Sequence, residues 1–410
     1  MMSDTEPRLA PPLPLPETRP PLLATPAAAI TAAQDFARSI LDGAAERDRN
    51  RGLPVAEIER FSQTGLWGIN VPRAYGGPGL PITTLAEVIR IVSAADPSIG
   101  QIPQNHYAFL NFLRAERDEA KKRFFFGRVL DGYRLGNALV ELGTKTVTDW
   151  KTVIRPDGDD FIIQGTKFYC TGALFAHLIP VVARTEAGEV LRAMVPRDTP
   201  GVTVIDDWSS FGQRTTASGS VQFQHVRVPA SHVIGLGGLL EGPFVYGPIA
   251  QIMQAAIDAG IAAGAFADTL DFVRHRARPW IDSGRDRAAD DPFTISQIGD
   301  TRIRLRAAEL MLDYAGRVID AVLEDETAEG IARASIAVAE AKVLTTEVAL
   351  HAASNLFELA GTSSTLGKYN YDRHWRNARV HTLHDPVRWK YFSIGDYELN
   401  GRPPLVHSWI

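Results

Sequence analysis

The hydrophobic period changes twice along the chain, from helical spacing to strict alternation and back to helical runs about thirty residues long. Few architectures accept that order. In the first zone, Val55, Ile58 and Phe61 follow Pro54 at helical spacing and stop at Gly65. Asp96-Pro97-Ser98 reads as a capping aspartate with proline in the first helical turn. His106, Phe109, Leu110 and Leu113 then fall at i, i+3, i+4 and i+7, which turns His106 inward with three apolar side chains.

The second zone alternates. Phe161-Ile162-Ile163, Gln164-Gly165 and Lys167-Phe168-Tyr169 predict one hairpin. Leu178 to Ala183 and Val190 to Val195, around Glu186-Ala187-Gly188, predict another; Val221, Phe223, Val226 and Val228 add a strand before Pro229. The third zone predicts long helices over Ile249–Arg276, Thr294–Leu323 and Glu329–Leu359, then a shorter one over Arg373–Ile394 interrupted near Pro386. The expected fold class is α+β: a flexible arm over 1–26, an N-terminal helical domain over 27–132, a central antiparallel β-domain over 133–240 and a C-terminal four-helix bundle over 241–410.

Composition removes several functions. A net charge of -5, with no run of like charge, offers no footprint for nucleic acid or an anionic membrane. The longest apolar stretches carry too many polar residues to span a bilayer. The Pro-rich start lacks the basic and apolar regions of a secretory signal, and a lone cysteine, Cys170, forms no internal disulfide, so a cytoplasmic setting is expected. No dinucleotide fingerprint opens a helix after a strand; Gly235-Leu236-Gly237-Gly238 reads as a flexible link. His381 and His384 lack the further ligands a metal needs, and no metal site is expected.

The positive signal is the run Asp372-Arg373-His374-Trp375-Arg376-Asn377-Ala378-Arg379, leading to His381-Thr382-Leu383-His384-Asp385-Pro386. Such groups are costly to bury without partners. Two readings stay open for the arginines, an inter-subunit polar network or a site; His106 could be a hydrogen-bonded core residue or a ring facing a pocket. The run resembles the acyl-CoA dehydrogenase-like flavoproteins, and within them the dibenzothiophene-type monooxygenases and the related sulfur-acquisition oxidoreductases. Other segments carry the same resemblance in order, from about residue 30 to 405: Ala94-Ala95-Asp96-Pro97-Ser98, Gly136-Asn137-Ala138, Lys167-Phe168-Tyr169-Cys170-Thr171-Gly172-Ala173, Asp206-Asp207-Trp208 with Gly212-Gln213-Arg214, Ser218-Gly219-Ser220 and Ala277-Arg278-Pro279-Trp280.

The resemblance implies a small organosulfur substrate, oxygen, and reduced FMN (FAD is the other candidate) delivered by a separate NAD(P)H-dependent flavin reductase. It implies a C4a-hydroperoxyflavin mechanism and a homotetramer. By the same resemblance Asn137, Thr171, Trp208 and Ser218 would line the flavin, Arg278 would meet its phosphate, and His106 and His384 would face the reactive edge with His381 in support; Tyr107 could also reach the pocket. Thr171 stands where the dibenzothiophene enzymes carry serine. An acyl-CoA dehydrogenase needs a base to take a proton, commonly a glutamate; His384 occupies that place, and Asp385 beside it is turned by about 100° on a helix. Dehydrogenases that place the base elsewhere keep an FAD-dependent acyl-CoA dehydrogenase as the alternative, and a non-catalytic flavin or CoA-ester scaffold as a third reading.

Overall fold

The computed structural model describes residues 8–10, 13–235, 244–405, 407 and 409. Among the described residues seven α-helices precede every strand but the first: α1 (Pro26–Leu41), α2 (Ala44–Asn50), α3 (Val55–Gln63), α4 (Ile82–Ala95), α5 (Pro97–Gln101), α6 (Gln104–Leu113) and α7 (Glu119–Leu130). Asp96 caps α5 as its sequence predicts, accepting from the backbone N–H of Ser98 and Ile99 at 3.1 and 3.3 Å.

The strands are β1 (Arg8–Leu9), β2 (Val153–Asp157), β3 (Asp160–Lys167), β4 (Leu178–Arg184), β5 (Val190–Pro196), β6 (Val202–Asp206), β7 (Ser220–Pro229) and β8 (Val233–Gly235). They form one sheet in the order β1-β6-β7-β3-β2-β4-β5-β8. It is mixed rather than purely antiparallel, because β2 meets β4 in parallel at Val153 and Arg184. The β4–β5 hairpin forms where alternation predicts it. The hairpin expected across Gln164-Gly165 does not: Asp160–Lys167 is one strand with a bulge between Ile163 and Gly165, and the turn lies earlier, between β2 and β3. A glycine that reads as a turn residue here marks a bulge. The extra residue of this bulge lies in β7, which accounts for the shift from Val221 and Phe223 to Val226 and Val228; His225 there takes φ 55°.

The stretch expected as a flexible arm is held in its described part. Leu9 pairs with Ile205, Ala10 donates to the Val204 carbonyl at 3.0 Å, and the Pro14 carbonyl lies 3.1 Å from His177 Nε2. An unpaired sheet edge and a buried imidazole give this Pro-rich segment partners that composition does not reveal. The expected Gly235–Gly238 link falls, beyond Gly235, outside the described residues.

The remaining helices are α8 (Tyr246–His275), α9 (Pro292–Val322), α10 (Ala328–Ala360), α11 (Asp372–His381) and α12 (Arg388–Asn400). Helix α8 is apolar and long enough to cross a bilayer, but most of its apolar stretch is buried within the protein, against α4, α9, α10 and α11 among others. Its approach to α4 requires Gly260, where a Cβ would lie 2.6 Å from the Arg90 carbonyl oxygen. Pro386 divides the last expected helix into α11 and α12.

Candidate active site

A cleft of about 480 Å³ opens where the sheet, α6, α8 and α11 meet. The sheet side contributes Asn137, Tyr169, Thr171, Trp208, Gln213 and Ser218; the helical side contributes Gln104, Gln254, His381 and His384. Six of the eight residues predicted for the site therefore line one cavity.

The sheet wall carries a directed hydroxyl chain. Thr216 donates to the Gln213 carbonyl at 3.1 Å and lies 2.8 Å from Ser218, which lies 2.6 Å from Thr171. A carbonyl only accepts, so Ser218 gives its proton to Thr216 and Thr171 gives its own to Ser218. The Thr171 oxygen keeps lone pairs for a donor in the cleft. The Trp208 indole is fixed by a 2.8 Å bond from Nε1 to the Gln213 carbonyl. The Gln213 side chain is 1% exposed, with both amide atoms unpartnered. A buried donor beside a buried acceptor fits a ligand offering both, as the pyrimidine edge and ribityl chain of a flavin do.

The loop carrying these groups is seated on α11. Gln213 N donates to Asn377 Oδ1 at 2.7 Å, Arg376 Nη1 donates to the Phe211 carbonyl at 3.0 Å, and Phe211 stacks on Trp375. Gly212 permits the approach: a Cβ there would lie 2.0 Å from the Arg376 carbonyl oxygen. Arg376 is also held by Asp48 at 2.6 Å, and Arg373 by Asp268 at 2.8 Å. These two arginines thus have carboxylate partners within the chain.

On the helical wall each histidine is backed by an aspartate and a lysine. His381 Nδ1 meets Asp258 at 2.5 Å, and Asp258 meets Lys342 at 2.6 Å, all three side chains fully buried. Burial would raise the Asp258 carboxyl, but Lys342 and His381 hold it below the ordinary carboxylate range. His381 Nε2 lies 2.8 Å from the Gln254 side-chain oxygen. Burial lowers the imidazole pKa, and Lys342 on the same carboxylate acts in that direction too. Nδ1–H donates to the Asp258 carboxylate, and Nε2 faces the Gln254 amide. His384 Nδ1 lies 3.2 Å from Asp385, which meets Lys390 at 3.3 Å. Burial again works to raise Asp385, and His384, Lys342 and Lys390 hold it well below its usual range. His384 is partly exposed to the cleft, and its Nε2 has no hydrogen-bond partner among the described residues.

Two predicted residues lie elsewhere. His106 is wholly buried behind the cleft: Nδ1 accepts from Leu135 N at 3.1 Å and Nε2 donates to the Trp67 carbonyl at 2.9 Å. Burial lowers its pKa to about 3, so it is a neutral core residue joining three segments. Its helix turns Gln104, Asn105 and Ala108 to the cleft instead. Tyr107 is likewise buried, bonded to the Leu66 carbonyl at 2.9 Å. Arg278 lies on the exposed segment after α8, away from this chain's cleft.

The pattern left Gln251, Gln254 and Asp258 unread. They were visible as polar residues at i, i+3 and i+7 interrupting an apolar helix, with Lys342 a matching interruption in α10.

Comparison with known proteins agrees with this architecture. The chain matches the acyl-CoA dehydrogenase N-terminal domain over residues 27–132, the middle domain over 142–226 and the C-terminal domain over 252–389. It is thus a protein of the acyl-CoA dehydrogenase class. It is 33% identical to dibenzothiophene monooxygenase of Rhodococcus qingshengii, covering 88% of this chain and 91% of that protein. It is 32% identical to the probable FMNH2-dependent monooxygenase SfnC of Pseudomonas putida, covering 94% and 98%. FMN-bound TdsC of Paenibacillus sp. A11-2 superposes with a TM-score of 0.89 at 29% identity, over 93% of this chain and all of that one. The chain belongs to the acyl-CoA dehydrogenase-like flavoproteins, on the branch that holds the dibenzothiophene monooxygenases.

Proposed function

We propose that this protein is the oxygenase half of a two-component system, a reduced-FMN-dependent monooxygenase that oxidises a small organosulfur compound in sulfur acquisition. One observation carries the choice over the acyl-CoA dehydrogenase alternative. The described cleft wall holds no carboxylate side chain that could take a proton from a thioester, and Asp385 is turned inward onto buried lysines. What faces the cleft is an unpartnered imidazole nitrogen opposite a hydroxyl that accepts.

Reduced FMN, when bound, supplies the electrons that activate oxygen. Thr171, with its lone pairs free, would accept a hydrogen bond from a ring N–H of the bound flavin. Gln213, Asn137 and Trp208 would hold and orient the ring system. Leu139, Val140 and Val380 give the cleft an apolar part that would shield the reacting atoms from water. His384 holds or delivers the proton, its Nδ1 anchored by Asp385 so that Nε2 faces the cleft.

Electrons come from a separate NAD(P)H-dependent flavin reductase, since the sequence carries no nicotinamide fingerprint. A homotetramer formed through the C-terminal helices would cover the exposed Trp280, Ile281, Phe293 and Ile303. Arg278, on that surface, would reach a neighbour's flavin phosphate. The buried Cys170 thiol suits the cytoplasm.

Stopped-flow absorbance with reduced FMN, reduced FAD and oxygen tests this reading. The expected result is tight binding of reduced FMN and slowed reoxidation, with His384→Ala lowering coupled oxygenation at least tenfold at unchanged flavin affinity. Tight binding of oxidised FAD, bleached by an acyl-CoA, would install the dehydrogenase in its place.

A further inference from the structure

The described part of the N-terminal segment runs from the edge of the sheet to α1, and it is received at several places along the way. Arg8 and Leu9 stand opposite Asp206 and Ile205, and Ala10 N donates to the Val204 carbonyl at 3.0 Å. His177 Nδ1 accepts from Arg134 N at 2.9 Å, so Nε2 carries the proton and donates to the Pro14 carbonyl at 3.1 Å. Arg19 Nε donates to the Leu130 carbonyl at 3.2 Å. Gly65, at φ 81°, lets Pro21 pass: a Cβ there would lie 2.0 Å from the Pro21 carbonyl oxygen. Pro14, Pro16, Pro20 and Pro21 stiffen the segment, so laying it down costs less chain entropy than a flexible tail would.

The residues it pairs with lead straight into the site. Strand β6 ends at Asp206, Asp207 follows, and Trp208 lines the cleft. Asp207 accepts from Ser220 N at 2.7 Å and from Ser220 Oγ at 2.6 Å, which ties the end of β6 to the start of β7. Ser220 stands two residues after Ser218, a member of the hydroxyl chain. In the sheet, β6 has β7 on one side and β1 on the other. Without β1 the cleft end of β6 would be an open edge, and a strand paired on one side alone frays more readily. Arg51 also donates to the Trp208 and Ser210 carbonyls, at 3.2 and 2.9 Å, but it grips the turn that begins at Trp208, not the strand that leads to it.

We infer that Leu9 and Ala10 are positioning residues of the flavin wall: by pairing with Val204 and Ile205 the N-terminal segment fixes the approach of Asp207 and Trp208 and keeps that side of the cleft in place before the flavin arrives. A wall already ordered binds without the cost of ordering it. The inference rests on the reading of this cleft as a flavin site.

The test uses the full chain, titrated with FMN and followed by the fluorescence of the flavin. Ala10→Pro removes the N–H that meets Val204 and should weaken FMN binding about fivefold, the scale of one hydrogen bond. Leu9→Gly with Ala10→Gly loosens the same pair through backbone entropy and serves if the proline variant misfolds. Leu9 and Ile205 form the non-hydrogen-bonded pair of this ladder, a spacing that a disulfide can bridge. Leu9→Cys with Ile205→Cys, added to the Ala10→Pro chain and oxidised, should restore FMN affinity, and reducing that bond should remove it again. The native Cys170 is buried and does not compete. Unchanged FMN affinity in the position-10 variants, with only the thermal midpoint lowered, would make the segment a cover for the sheet edge and overturn the inference. Affinity that is lost but not restored by the cross-link would overturn it too. If the unaltered chain binds no FMN, the proposed function falls, and the inference with it.

Discussion

Asp258 is a fully buried carboxylate touching Lys342, Thr346 and His381 at once. Asp258→Asn would leave Lys342 charged and unpaired in the core, a loss of about 3–5 kcal/mol. Urea unfolding should show it, and Lys342→Met in the same chain should recover part of it; an unchanged midpoint would mean the cluster is not charged. His106 makes the opposite kind of prediction. Its folded pKa of about 3 lies below the ordinary 6.5, so the unfolded chain binds the extra proton. Its contribution is complete above about pH 6.5 and falls by about 1.4 kcal/mol per pH unit down to about pH 3. His177, lowered to about 4, acts in the same direction. Thermal unfolding between pH 4 and 7 should therefore steepen toward acid, and His106→Leu should flatten the curve while lowering overall stability. The two residues also mark how far the sequence could be read. An inward-facing stripe says that His106 is buried but not which side of its helix meets a cavity, because core and cleft lie about 100° apart around the same turn. The paired aspartates could not be assigned, since their lysines are 84 and five residues away along the chain, on α10 and α12.

At the scale of elements, the cleft's width is set by the loop from Trp208 to Ser218 on α11. Gly212→Ala should force that loop off the Arg376 carbonyl and break the Gln213–Asn377 bond. Reduced-flavin affinity should drop at least tenfold with far-UV circular dichroism unchanged, because the sheet and helices do not depend on the loop. Unchanged affinity would show that the loop does not shape the flavin wall. Long helices and the β4–β5 hairpin were legible because each has one dominant period. Strand β3 was not, since Gln164-Gly165 has turn composition and only pairing with β7 carries the strand on past the bulge. The mixed pairing of β2 with β4 depends on chain path, which alternation does not encode.

Across the molecule, the residues that define the site come from segments that fold as different layers. The accepting hydroxyl lies in the turn after β3, the free imidazole nitrogen in the turn after α11, and the amides on α6 and α8. Neither layer builds the cleft alone. Whatever ligand spans both walls clasps them together, and mass action then makes cohesion a function of ligand supply, growing as RT ln(1 + [L]/Kd). A copy kept supplied with that ligand resists opening along that seam. An idle copy parts there first and meets proteases sooner, so the abundance of the protein follows the flow of reducing power that it consumes.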